Sequence, residues 1–206
     1  MRSRIVAVLG GAVAAAGLGA CGSDTPALTG PSQQVQTPTT AAAAGPTVGV
    51  VAVGAVEAPV VSGGAAGSAI TAAGRAVATR LSAAGRTCPM RVVASTPAVV
   101  SLRWDCTDHT VATATFATAT GRQLQLPDLL QGDWVAYLST TAQAQLEAGG
   151  ATAVQAAAAA PAAAGAYGRW NVTAADLQVV CTLPAGPVTV SFPRATLTPY
   201  LRPGVA

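Results

Sequence analysis

The spacing of hydrophobic positions changes period several times along the chain, and each change marks an element. From Thr47 the residues TVGVVAVGAVEAPVV are β-branched and alternate with small ones, which predicts a first strand ending near Pro59. Over residues 63–85 the period lengthens. Ile70, Val77 and Leu81 fall on one helical face among alanines, with Ser68 as a candidate cap and Gly85 as the stop. Residues 90–95 and 99–105 return to strand character on either side of Thr96-Pro97-Ala98, and residues 110–120 predict a fourth strand carrying Phe116 and closed by Gly121-Arg122. Four leucines then surround Pro127, and Asp133 is placed to cap a helix that carries Trp134, Tyr137, Leu138 and Leu146 and ends at Gly149. Residues 151–168 are a low-complexity, alanine-rich segment interrupted by Pro161, and read as a solvated insert whose helical part is at most three turns. Two last strands, 170–181 and 187–192, flank the turn Leu183-Pro184-Ala185-Gly186, and a short helix over 194–201 follows Pro193. This order predicts an α+β domain: a mostly antiparallel sheet of about six strands, two main helices and a short C-terminal helix.

The N-terminal pattern is of another kind. Residues 1–4 carry two arginines, and residues 5–19 form an uncharged run of Ile, Val, Ala, Leu and Gly. These are the n-region and h-region of a signal peptide. The run is too short to cross a hydrocarbon core of about 30 Å as a helix, which takes roughly 20 apolar residues. Leu18-Gly19-Ala20-Cys21 closes it and looks like a lipobox, in which small residues fit a narrow processing site and the Cys21 thiol takes a diacylglyceryl group. The expectation is a lipoprotein: residues 1–20 removed, Cys21 lipidated, and the chain held at the cell membrane on its extracytoplasmic face. Buried methylenes contribute roughly 0.8 kcal/mol each, so two or three acyl chains anchor stably where one does not. Residues 21–46, rich in Ser, Thr, Pro, Gln and Gly, cannot bury enough surface to fold and read as a tether, which leaves 47–206 as a single domain with its alanine-rich insert at about 149–168.

Composition adds two restrictions. The apolar fraction of 51% is inflated by 49 alanines, so Val and Leu are the real core formers. All 11 basic residues are arginines, nine of them after the leader against eight acids, and no basic stripe points to nucleic acid or to a polybasic membrane patch.

Once Cys21 is assigned to the lipid, Cys88, Cys106 and Cys181 remain in an oxidising compartment and allow at most one bridge. A hairpin centred on Pro97 sets Cys88 directly opposite Cys106, which favours that disulfide; Cys106 with Cys181 is the competing pair. Cys181 is then a small buried hydrophobe.

Candidate chemistry is sparse. His109 is the only histidine, and with Asp105, Cys106, Thr107 and Asp108 it forms one short cluster without the separated ligands that a zinc site needs. A Ser-His-Asp triad would have to use His109, and the mature chain has no Gly-x-Ser-x-Gly elbow. With no lysine, Ser-x-x-Lys and Schiff-base chemistry are excluded. Asp105, Asp108, Asp128, Asp133, Glu147 and Asp176 are scattered as on an ordinary surface, and no phosphate-cradling loop or other cofactor signature occurs. The aromatic residues Trp104, Trp134, Trp170, Tyr137, Tyr167 and Tyr200 mostly occupy apolar phases, which suits core packing better than a sugar-stacking face.

Several pieces together resemble the extracytoplasmic domain of unknown function found in lysozyme-sensing anti-sigma factors, beside some peptidoglycan deacetylases, and in mycobacterial secreted immunogenic proteins. The matching residues are Pro59-Val60-Val61-Ser62-Gly63 before the first helix, Val99-Val100-Ser101-Leu102, and above all Thr120-Gly121-Arg122-Gln123-Leu124-Gln125-Leu126-Pro127-Asp128-Leu129-Leu130, which fits the family pattern Thr-Gly-Arg-x-Leu-x-Leu-x-Asp-Leu-Leu. The resemblance covers about residues 48–202. It implies a ligand-binding α+β domain outside the membrane. Where the anti-sigma factors have a long ligand-contacting loop, only Thr107-Asp108-His109 remains here, so recognition of lysozyme is not implied. The resulting expectation is a non-enzymatic envelope protein that binds a protein, cell-wall or lipid ligand. The rival is a cell-wall hydrolase, which would require Asp105, Asp108 and His109 to converge with another acid in a cleft.

Overall fold

The computed structural model describes residues 44–203, so the signal peptide, Cys21 and nearly all of the tether lie outside the described residues. The domain is α+β, and all of its strands pair antiparallel, in three sheets. The single opening strand expected from the sequence is in fact a hairpin, β1 (Thr47–Val53) and β2 (Val56–Ser62). Gly54, at φ +62°, makes the tight reversal that a side chain would resist.

The first helix, α1 (Gly67–Ala83), buries the expected Ile70, Val77 and Leu81. Ser68 does not cap it; Ala66 occupies the N-cap position without a side-chain bond. Its stop is the expected Gly85, at φ +69°, where the Gly85 and Arg86 amides donate to the Ser82 and Leu81 carbonyls. Pro59 of β2 lies so close to Gly74 that a Cβ there would sit 2.2 Å from the proline ring.

The second sheet, in the order β3 (Met90–Ser95), β4 (Val99–Asp105), β5 (Val111–Ala117), has two unlike faces. Val100, Leu102, Trp104, Ala114 and Phe116 belong to a core shared with α1 and β2. The opposite face carries Ser101, Arg103, Thr113 and Thr115. It is bridged to the third sheet, in the order β6 (Trp170–Val172), β7 (Asp176–Leu183), β8 (Gly186–Pro193). Asn171 donates to the Ser101 hydroxyl and the Leu102 carbonyl, both at 2.9 Å. Ser101 bonds Thr115 at 2.9 Å, and Arg103 reaches the Thr189 hydroxyl at 2.8 Å. The buried hydroxyls and the Asn171 amide nitrogen are tolerated because they are hydrogen-bonded, whereas the Asn171 Oδ1 is buried without a partner, and these bonds link the two sheets.

A second core lies on the far side of the third sheet, where Leu177, Val179, Cys181, Val190 and Phe192 meet α3 (Trp134–Ala148). Asp133 is the N-cap residue of α3, as its position predicts, although its side chain makes no cap bond. The alanine-rich segment forms α4 (Ala153–Ala159), within the three turns expected, and a 3₁₀ turn, but it is not a solvated insert: Ala156, Ala160 and Tyr167 are buried in this core. Alanine contributes little hydrophobic area, but its small size lets α4 approach α3 closely enough for the Ser139 hydroxyl to donate to the Ala160 carbonyl at 2.8 Å. A reciprocal cap between Thr152 and Gln155 starts the helix. No helix among the described residues is long and apolar enough to cross a membrane.

Cys88 and Cys106 form a disulfide, with the sulfurs 2.02 Å apart. The register that brings them together holds from Met90, opposite Trp104, to Val92, opposite Leu102. The turn itself is not centred on Pro97, since Ser95 faces Val100, and a bulge at Val93 absorbs the extra residue before the cysteines are reached. Cys181 is free and buried in the other core.

Candidate functional site

The motif that carries the family resemblance is a structural brace. Gly121 takes φ +70° in a turn where a Cβ would meet the Ala69 Cβ at 2.6 Å. Leu124 then donates back to the Thr115 carbonyl at 2.7 Å, and the Asp128 carboxylate accepts from Arg122 at 3.0 Å and from the Gln125 amide at 2.7 Å. These bonds hold the Asp128 carboxyl below the usual carboxylate range, the arginine contributing most. They start the short helix α2 (Leu126–Leu129), whose leucines turn inward. The end of the chain is clamped over α2. Gln131 donates to the Tyr200 carbonyl at 2.7 Å and Arg202 to the Leu129 carbonyl at 2.8 Å, just beyond α5 (Arg194–Leu197) and its 3₁₀ extension.

Between this clamp and two hairpin turns lies an apolar cavity of about 290 Å³. Leu129 of α2 and Leu130 after it, Leu197 and Leu201 of the C-terminal segment, and Val172 and Leu177 of the third sheet line it. The two turns, 96–99 and 173–176, share one construction. The Thr96 amide donates to the Val99 carbonyl at 2.9 Å, and the Thr173 amide donates to the Asp176 carbonyl at 2.8 Å. In each turn the threonine hydroxyl accepts from the two following amides, Ala98 and Val99 in one and Ala175 and Asp176 in the other, and donates to the same carbonyl as its own amide. Both hydroxyls are thereby spent inside their own turns. Asp176 and Arg194 are the charged residues of the lining. A cavity of this size and lining receives a small apolar group, at the low end of the range for small-molecule sites.

The residues singled out for chemistry lie elsewhere. Asp108 accepts from Arg86 Nε at 2.8 Å and from the amide and hydroxyl of Thr110 at 3.0 Å each, and the guanidinium above all pulls its pKa from 3.8 to about 2. Asp105 bridges Arg91 at 3.1 Å and Arg103 at 2.6 Å. His109 sits at φ 63° in the turn after Cys106, a left-handed conformation that favours glycine and that Asn, Asp and His adopt more readily than other residues, suited to a reversal. None of these three residues lines the apolar cavity, and no group of His, Cys, Asp or Glu among the described residues is placed to hold a metal ion. The tryptophans and Tyr167 are core residues, while Tyr137 and Tyr200 stack on one another with ring centroids 4.7 Å apart. The cavity itself was not legible in the sequence, because its walls come from four separate segments; only the paired leucines at 129 and 130 hinted at an inward apolar surface. No family model and no curated protein matches this chain.

Proposed function

We propose that this chain is a lipid-anchored, non-enzymatic protein of the bacterial cell envelope, tethered through Cys21 on the extracytoplasmic face, and that its domain, which resembles that of the anti-sigma factors and secreted immunogenic proteins, binds its ligand in the apolar cavity. The anchor rests on Leu18-Gly19-Ala20-Cys21 behind an arginine-led apolar run. The binding role rests on one observation: leucines and valines make up half of the residues lining the cavity, Asp176 and Arg194 are its only charged ones, and its threonine hydroxyls are consumed by their own turns. Such a wall offers mainly hydrophobic contact, and Asp176 is its one carboxylate, with no second acid and no histidine in the lining. The acids a hydrolase would use are instead held by arginines: Asp105 by Arg91 and Arg103, and Asp108 by Arg86.

The test of the anchor is cell fractionation of the full chain and of Cys21→Ala. The wild-type protein is expected in the membrane fraction after a high-salt wash, with the variant released or left unprocessed. A processed Cys21→Ala protein that stays on the membrane would overturn the anchor.

A further inference from the structure

We infer that the cavity accepts one aliphatic chain of a membrane lipid, inserted between the 96–99 and 173–176 turns with its polar end left at the mouth. This rests on the reading of the cavity as the ligand site and goes further by naming the ligand's chemistry. Three observations carry it. The lining is mostly apolar, with Leu129, Leu130, Leu177 and Leu197 in it and only Asp176 and Arg194 charged. Its volume of about 290 Å³ is room for roughly ten groups of about 30 Å³ each, the share of one water in the liquid, which suits a stretch of methylenes and is too small for a folded partner element. The third observation is position. The Ser95 hydroxyl donates to the Pro46 carbonyl, and a Cβ on Gly45 would lie 2.7 Å from the Ser95 carbonyl oxygen, so the first described residues are pinned to the base of the 96–99 turn. Pro97 in that turn lines both the apolar cavity and a second opening bordered by Ala44, Gly45 and Pro46. The cavity therefore lies beside the point where the chain leads back to Cys21. The intervening 23 residues (21–43) span at most about 80 Å fully extended, which keeps the cavity within reach of the bilayer's acyl chains.

The test uses the full chain with Cys21→Ser, titrated with the fluorescent fatty acid cis-parinaric acid and competed with saturated fatty acids from octanoate to palmitate. Affinity is expected to rise about fourfold per added methylene while the chain still fits, the factor that follows from about 0.8 kcal/mol per buried methylene, and to level off near ten carbons. Ala98 and Ala174 line the cavity and are exposed, so Ala98→Phe and Ala174→Phe narrow the mouth without disturbing a core. Each is expected to weaken binding at least tenfold. Val154→Phe, on an α4 side chain 81% exposed and outside the cavity, is expected to leave binding unchanged. Absence of saturable binding, affinity independent of chain length, or full binding by both narrowed variants would overturn the inference. If either variant fails to fold, the chain-length series decides alone. Membrane retention of the unsubstituted chain reports on the anchor separately, so loss of either reading is seen without the other.

Discussion

Removing the Cys88–Cys106 bridge perturbs the second sheet at a place where the size of the effect follows from chain statistics. The two residues are 18 apart in sequence, and closing a loop of that length in the unfolded chain corresponds to about 3 kcal/mol at 25 °C in the chain-entropy model. Both side chains are buried in the core with Trp104 and Met90, so Cys88→Ala/Cys106→Ala also forfeits sulfur packing, which brings the expected loss to about 3–5 kcal/mol. Urea unfolding followed by tryptophan fluorescence measures it. With a slope of about 1–3 kcal/mol/M, the midpoint is expected to fall by roughly 1–5 M. Dithiothreitol is expected to weaken the wild-type protein by a similar amount and to leave the double variant unaffected. A loss under about 1 kcal/mol, or a double variant that still responds to reductant, would refute both the pairing and the register that produces it.

Other substitutions test neighbouring parts of the fold. Gly74→Ala should destabilise by about 1–3 kcal/mol despite a gain in helix propensity of up to about 1 kcal/mol, because its Cβ has no room beside the Pro59 ring; a rise in thermal midpoint would contradict that packing. The Asp108 carboxyl, followed by carbon NMR, should titrate near pH 2, and in Arg86→Ala it should move back up toward 3.8. Because its folded pKa lies below the unfolded one, whatever stability this pair contributes is present above about pH 4 and is lost as pH falls toward 2; an unchanged midpoint in the variant would remove the arginine as the cause. In the Cys21→Ser chain, burial pushes the Cys181 thiol above its ordinary pKa, so a thiol reagent should find no reactive group in the native protein and one after unfolding without reductant. Rapid native labelling would show that β7 opens.

Local signals in the sequence were sufficient where one periodicity and one turn defined an element. β3 and β4 follow from alternation around Thr96-Pro97-Ala98, and α1 follows from Ile70, Val77 and Leu81 with a stop at Gly85. The β1–β2 hairpin was concealed because only two residues, Gly54-Ala55, separate two valine-rich runs, and they lack the Asn-Gly or Asp-Gly signature of such turns. The strand read over 170–181 hid a second hairpin for a related reason, since its turn is built by the Thr173 hydroxyl rather than by Gly or Pro. Composition misled at 151–168, where a run of alanines reads as solvated until Tyr167 and the Thr152–Gln155 cap are weighed. The disulfide was predicted through an idealised turn, and the Val93 bulge, which alternation does not reveal, restores the pairing. The cavity depends on contacts between turns far apart in sequence and carries no periodic signal.

Intact-mass spectrometry of the full-length gene product, purified from membranes under non-reducing conditions, tests the central claim most directly. The account predicts a chain that begins at Cys21, carries the added mass of a diacylglyceryl group there, and yields a linked Cys88–Cys106 peptide on digestion. An unmodified N-terminus at any other residue would contradict the lipid anchor and with it the placement of the cavity beside the membrane.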